Sequence, residues 1–167
     1  MKMSRSSIAL GLLLAAVALF VVDSSQSLPA VLASHFAAGG QANGYMSRST
    51  YVVVALLLGV GIPLFTALLP LAMARTGGAG VNIPNRAYWF AAERREATIA
   101  DIQMRSQCFA CLLALFLAYL HWLLVQANAR HPAVLSLPAF FAGLGTFLFA
   151  LALWARSLNA RFGLTSR

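Results

Sequence analysis

The amino-acid sequence predicts an all-α integral membrane protein, a four-helix bundle with both termini on the cytoplasmic side. Hydrophobic residues make up 60% of its 167 residues and charged residues only 10%, whereas soluble domains carry about a quarter charged residues. The mean hydropathy is +0.79, and four long apolar runs follow one another along the chain. The basic residues gather at the ends of these runs, so the net charge of +8 does not indicate binding to nucleic acid.

The apolar runs predict spans at about residues 6–23, 51–73, 108–126 and 137–154, in a single membrane domain covering residues 1–167. An outer loop of about 28 residues (24–50) and a cytoplasmic connection (74–107) join them in order. The first run, Ile8–Val22, is short, because fifteen helical residues rise only about 22 Å. It resembles a signal peptide, but no small-x-small cleavage site follows promptly, which favours an uncleaved span.

Two further elements are predicted inside this frame. Pro63 lies within the second span, and proline removes a backbone donor, so a kink is expected there. In the cytoplasmic connection, Tyr88, Trp89 and Phe90 are expected at the level of the lipid headgroups. The stretch 93–105 is expected to be a surface helix with local charge pairs that runs into the third span, or alternatively a docking face for a cytoplasmic partner.

The distribution of basic residues predicts the orientation. Arg48 and Arg130 flank the loops on one side. The other ten basic residues share the opposite side: Lys2, Arg5, Arg75, Arg86, Arg94, Arg95, Arg105, Arg156, Arg161 and Arg167. Positive charge stays cytoplasmic and meets anionic lipid headgroups, so both termini are expected inside a bacterial cytoplasmic (inner) membrane.

The outer loop contains the most distinctive pattern of the chain. Its candidate binding residues are Leu28, Pro29, His35, Phe36, Gly40, Asn43, Gly44, Tyr45, Ser47 and Arg48. Gly39-Gly40 permits positive φ, and Asn43-Gly44 predicts a tight turn. We expect Phe36 to fold onto the membrane rim, His35 to bond a turn carbonyl, and Arg48 to reach lipid phosphates.

This loop resembles the membrane domain of unknown function at the front of the Sdp-toxin immunity protein and its relatives. That family has Leu-Pro, then His-Phe or His-Trp, a glycine, Asp-Gly-Trp and Ser-Lys. The present loop follows the pattern without a gap and departs from it at positions 33, 37, 42, 43 and 46. The resemblance covers about the first 75 residues and implies an immunity or signalling context, with the loop as either a structural cap or a recognition site.

Few residues point to chemistry. Cys108 and Cys111 form a CxxC spacing, which is either a redox or metal pair or two small residues on one helix face. His121, near Tyr119 and Trp122, is expected in an interfacial aromatic belt rather than as a metal or haem ligand. A metal site at His35, with Asp23, His121 and His131 nearby, is the less favoured interpretation, because a site needs three or four ligands and the loop motif itself supplies one. No cofactor, metal or catalytic site is therefore predicted.

The sequence favours a non-catalytic protein that acts through contacts with other integral membrane proteins, as a small accessory subunit of a larger complex. The alternative is an immunity or sensor protein whose outer loop binds a toxin or peptide. A small-residue stripe in the fourth span, either for packing within the bundle or for a partner helix, consists of Ala139, Gly143, Thr146 and Ala150.

Overall fold

The computed structural model describes residues 4–76, 78 and 80–163; Lys2 and Arg167 of the charge count lie outside them. The first candidate membrane span is α1 (Arg5–Ser24), and the second consists of α2 (Arg48–Leu56), a π-helical turn (Leu57–Gly61) and α3 (Ile62–Arg75). After a short helix α4 (Arg86–Trp89) come the third and fourth, α5 (Arg95–Asn128) and α6 (Leu137–Phe162). The prediction of four helices long and apolar enough to cross a membrane is confirmed.

Helix α5 is the centre of the structure. It packs against α1, α3 and α6, and its fully buried Ala110 and Ala114 allow close approach of the neighbouring helices. The buried face of α1 recurs every three or four residues, as expected for one helix stripe: Leu10, Leu14, Val17 and Val21. Helix α6 packs mainly against α5, and none of its most apolar 18 residues is buried. The core is thus shared by three spans, with α6 on the flank.

Two elements differ in form from the predicted spans. Helix α5 has 34 residues and a length of about 51 Å, so it projects beyond a hydrocarbon core of about 30 Å. The predicted surface helix and the third span are therefore one continuous helix. The irregularity predicted near Pro63 takes the form of the π-helical turn, which directly precedes the turn of α3 that contains this proline.

The loop between the first two spans contains a β-hairpin, so the fold is not purely helical. Strand β1 (Val31–Phe36) pairs antiparallel with β2 (Ala42–Ser47). The register joins Val31 to Ser47 and Phe36 to Ala42, and it skips Ser34 and Asn43, which produces two bulges. The hairpin covers one end of the helices, which we call the hairpin end.

The opposite end, where α1 begins and α6 ends, is closed by the connection between α3 and α5. Trp89 is buried against Phe162, and the Arg161 guanidinium lies over its ring, so Trp89 is not the exposed headgroup anchor that the sequence suggested. Of the local charge pairs predicted for residues 93–105, Asp101 with Arg105 is formed. Asp101 also forms an ion pair with Arg161 of α6, which ties the end of α6 to α5.

Candidate functional site

The hairpin is held on the helix ends by an apolar cluster. Leu28 and Leu32 are buried and pack with Tyr51, at the start of the second span. Met46 of β2 and Leu124 of α5 close this cluster from the sides. Leu28, predicted as a binding residue, therefore helps to anchor the hairpin on the helix ends.

The amide side chain of Asn128 also joins the hairpin to α5. The Asn128 Oδ1 accepts a hydrogen bond from the Ala33 N–H at 2.8 Å, and its Nδ2 donates to the Ala33 carbonyl at 2.9 Å. The same nitrogen also donates to the Leu124 carbonyl at 3.0 Å. Both Asn128 and Ala33 are buried, so this pairing satisfies the two backbone groups of Ala33 away from water.

Ser47 and Arg48 join the hairpin to the second span. The Ser47 hydroxyl caps α2 by accepting a hydrogen bond from the Thr50 N–H at 3.1 Å. The Arg48 Nη1 donates to the carbonyls of Gln26 and Leu28, at 3.1 and 2.9 Å. The Arg48 side chain thus fixes the segment that immediately precedes the exposed Pro29, a contact that the sequence did not suggest.

The chain reverses at Ala37–Gln41, and Gly40 is the residue that this turn requires. Its φ is +84°, and a Cβ added there would lie 2.7 Å from the Leu135 carbonyl oxygen. The Gly40 carbonyl in turn accepts a hydrogen bond from the Leu135 N–H at 2.8 Å, which attaches the turn to the connection between α5 and α6. The expectation of positive φ in this glycine pair is confirmed at Gly40.

The turn predicted at Asn43-Gly44 is wrong. Both residues lie inside β2, because the chain has already reversed at Gly40. Gly44 instead stands opposite His35 across the hairpin, where a Cβ would come within 3.0 Å of the His35 Cβ. The glycine therefore makes room for the imidazole rather than forming a turn.

Three residues of the loop motif are exposed to solvent and do not attach the hairpin to the helices. His35, Asn43 and Tyr45 are exposed, with 65% of Tyr45 accessible, while Phe36 is half-buried. His35 shares a hydrogen bond of 3.0 Å with the Ser34 hydroxyl through Nδ1, so its predicted bond to a turn carbonyl is replaced by a bond to a neighbouring side chain. The motif is therefore divided between an anchored underside and an exposed surface.

His121 lies at the centre of a buried polar cluster below the hairpin. Its Nδ1 is 2.6 Å from the Tyr51 hydroxyl and its Nε2 is 2.7 Å from the Ser24 hydroxyl. The ring stacks on Tyr51 and meets the edge of Phe20. The prediction that His121 belongs to an interfacial belt is wrong, because its face of α5 turns toward α1 and α2, and the ring is only 5% exposed.

A cavity of about 240 Å³ lies between this cluster and the hairpin. Its walls come from α1, the second span and α5, and its roof contains Ser34, His35 and Met46. Leu58 and Gly59 of the π-helical turn also line it, so the irregular turn borders the cavity. Most of the lining is aliphatic, and Tyr51, His121, Ser34 and His35 are its hydrogen-bonding side chains.

The small-residue stripe of α6 divides between two environments. A Cβ at Gly143 would overlap the ring of Tyr119, whose hydroxyl donates to the Ala139 carbonyl at 2.6 Å. These two positions therefore pack against α5 within the chain. Thr146 and Ala150 line a groove of about 400 Å³ between α5 and α6, and Gly143 forms its end. The other groove residues are mostly apolar: Leu112, Leu115, Phe116, Tyr119, Ala142 and Phe147.

The two cysteines are free thiols on α5, Cys108 exposed and Cys111 half-buried. Within the part of the chain that the structure describes, no three His, Cys, Asp or Glu residues form a group that could hold a metal ion. Asp23, His35, His121 and His131 are thus not brought together into such a group. Both ring nitrogens of His121 are already hydrogen-bonded, one to Ser24 and the other to Tyr51.

Asn128 and Tyr51 are the site residues that sequence reasoning missed. Each is a polar side chain at the edge of an apolar run, which is a weak signal by itself. Their partners, Ala33 and His121, lie 95 and 70 positions away along the chain, so only the fold connects them. Comparison of the chain with protein-family models, curated proteins and solved structures finds no match.

Proposed function

We propose that this protein is a non-catalytic multi-pass membrane protein that acts by contacting other integral membrane proteins, as a small accessory subunit of a larger complex. The observation that supports this proposal is the groove between α5 and α6. Helix α6 is the least buried of the four spans, and it rests mainly on α5. A partner helix would extend this two-helix contact into a larger packed unit.

The lining of the groove suits a transmembrane helix. Apolar side chains of two helices associate weakly inside lipid, since the lipid tails are equally apolar, so small residues that permit close backbone approach favour packing. Ala142, Thr146 and Ala150 are small residues of its lining, and Leu115 and Phe147 are among the larger apolar ones. The Thr146 hydroxyl already donates to the Ala142 carbonyl at 2.9 Å, so this side chain presents no unpaired donor to a partner.

A gentle detergent purification from native membranes tests the proposal. Wild-type protein should co-purify with one larger membrane complex at constant stoichiometry, whereas Ala150→Leu should lose it because the added side chain fills the groove. Gly145→Leu is the matched control, because a Cβ there meets nothing within 4 Å. Purification of a folded wild-type protein without any stoichiometric companion, or equal retention by Ala150→Leu, would contradict the assignment.

The proposed setting is a bacterial cytoplasmic membrane, with both termini inside and the hairpin outside. The charge distribution of the sequence supports it, since the predicted topology assigns ten of the twelve basic residues to the side of the termini, where they would meet anionic headgroups. Reporter fusions after Gly78 and after Arg161 should therefore read cytoplasmic, and a fusion at Gln41 should read external. An external signal at Gly78 would reverse the orientation.

The hairpin supports a second candidate function, an immunity or sensor protein that binds a toxin or peptide outside the membrane. Its surface residues His35, Asn43 and Tyr45 are exposed on a cap that Asn128 and Arg48 hold in place. The resemblance of Leu28–Arg48 to the immunity family points the same way. Tyr45→Ala should then abolish protection against, or binding of, an extracellular peptide while leaving co-purification unchanged, and Ala150→Leu should do the opposite.

A further inference from the structure

A second groove lies at the hairpin end, on the outer side of α1 and α2. It has a volume of about 640 Å³ and is lined by Val22, Ser25, Gln26, Arg48, Ser49 and Val52. Arg48 is the first residue of an apolar helix of 28 residues, so the groove lies where that helix would enter a membrane. Its occupant would therefore sit at the level of lipid headgroups.

The groove combines several donors suited to a phosphate. The Arg48 Nη1 is held by two backbone carbonyls, which fixes the guanidinium, while its Nε and Nη2 make no hydrogen bond to the described residues. Ser49 lies in the first turn of α2, where the helix dipole favours an anion. On either side of it, the N–H groups of Arg48 and Thr50 already donate to the Ala30 carbonyl and the Ser47 hydroxyl, so Ser49 is the residue of this turn that faces a ligand. A fixed guanidinium next to a helix start is a typical arrangement for binding phosphate oxygens.

An independent feature of the same groove is the buried hydroxyl of Ser25. This residue is only 2% exposed, and its Oγ has no hydrogen-bond partner among residues 4–76, 78 and 80–163. An unpaired buried hydroxyl is costly, so a ligand oxygen that accepts from it would be stabilised. Ser25 follows α1 and Arg48 begins α2, so two separate segments present donors to one groove.

A carboxylate lies next to these donors. Asp23 lines an adjoining groove of about 520 Å³, which shares Val22 and Gln26 with the first and continues onto Leu19 and Phe20. In the described part of the chain Asp23 is exposed and forms no ion pair. A free anion would gain nothing from this carboxylate, but a headgroup with a phosphate and a nearby ammonium would bind both charges.

We propose that the two joined grooves bind one phospholipid of the phosphoethanolamine class. Its phosphate would accept from Arg48, Ser49 and Ser25, and its primary ammonium would donate to the Asp23 carboxylate. The glycerol and the first methylenes of its acyl chains would lie against Val22 and Val52, with Leu19 and Phe20 further along the helix. This site is separate from the α5–α6 groove, and it requires only that the four helices cross a membrane.

Native mass spectrometry of the delipidated full chain in mild detergent tests the site. Phosphatidylethanolamine, phosphatidylcholine and phosphatidylglycerol with identical acyl chains are added separately, and inorganic phosphate serves as the fourth probe. The wild type should bind one phosphatidylethanolamine at least about tenfold more tightly than the other two lipids, because neither of them can donate an ammonium N–H to Asp23. Equal binding of the three lipids, or equal binding of inorganic phosphate, would overturn the proposal.

Two variants separate the charges of the headgroup. Asp23→Asn should abolish the preference for phosphatidylethanolamine, whereas Glu93→Gln, which removes an exposed carboxylate at the opposite end, should keep it. Arg48→Gln should lose all three lipids, but it also removes two hydrogen bonds of the cap. Val52→Trp therefore blocks the groove without touching Arg48 and should lose phosphatidylethanolamine at unchanged lipid-free thermal stability. An unaltered preference in Asp23→Asn, or full lipid binding in Val52→Trp, would refute the site.

Discussion

Replacement of Asn128 by alanine should detach the hairpin from α5. The substitution removes the two hydrogen bonds to Ala33 and leaves both backbone groups of a residue that is 2% exposed without a partner. An unsatisfied buried group costs about 1–3 kcal/mol, so the loss for two groups, with some compensation by water, is about 3 kcal/mol. For a chain of this size that corresponds to a fall in Tm of about 6–12 °C, if unfolding is cooperative.

The assay is thermal unfolding in mild detergent, combined with hydrogen exchange of the hairpin. Gln126→Ala is the control, because Gln126 is exposed on the same turn region of α5. In Asn128→Ala, amides of β1 should exchange faster than those of α1, since the cap loses its attachment before the helices separate. Asn128→Asp should be no better than alanine, because it retains the acceptor for the Ala33 N–H but turns a carboxylate oxygen toward the Ala33 carbonyl.

The outcome that refutes this reasoning is specific. An Asn128→Ala protein with a Tm within about 2 °C of the wild type, which is the range of neutral surface substitutions, would show that the two hydrogen bonds are not needed. Unchanged exchange of the β1 amides would show that the apolar cluster around Leu32 alone holds the hairpin.

Three further predictions concern the cap and the fourth span. Gly143→Leu should lower the Tm in detergent far more than Leu144→Ala, because any side chain at Gly143 overlaps the Tyr119 ring; equal effects would mean that this contact is not formed. Gly40→Ala should cost about 1–3 kcal/mol by equilibrium unfolding, because the alanine must adopt φ of +84° and displace the Leu135 carbonyl, so a neutral result would contradict the turn geometry. His35→Ala should cost no more than about 1 kcal/mol, because His35 is exposed, and His35→Gln should restore the stability; a stable His35→Gln protein that no longer binds its partner would instead assign His35 to recognition.

The four helices that are long and apolar enough to cross a membrane were predictable from the sequence itself. Twenty or so consecutive apolar residues require a helix in lipid, since every backbone N–H and C=O must bond within its own segment, and this local rule applies regardless of the neighbouring helices. The positive φ of Gly40 and the Ser47 cap of α2 are also local, and both follow from residue types at adjacent positions.

The organisation of the hairpin end was decided only by the tertiary structure. Asn43-Gly44 has the residues of a tight turn, but the chain reverses at Gly40 instead. That reversal is held by Leu135, in the connection that follows α5, so the local preference is overridden. In the sequence, His121 resembles a belt residue. The direction in which its side chain leaves α5 depends on the helices that pack there, and only the fold shows this. The pairing of Asn128 with Ala33 depends on where β1 crosses the end of α5, and polar groups 95 positions apart meet there only because the helices pack around α5.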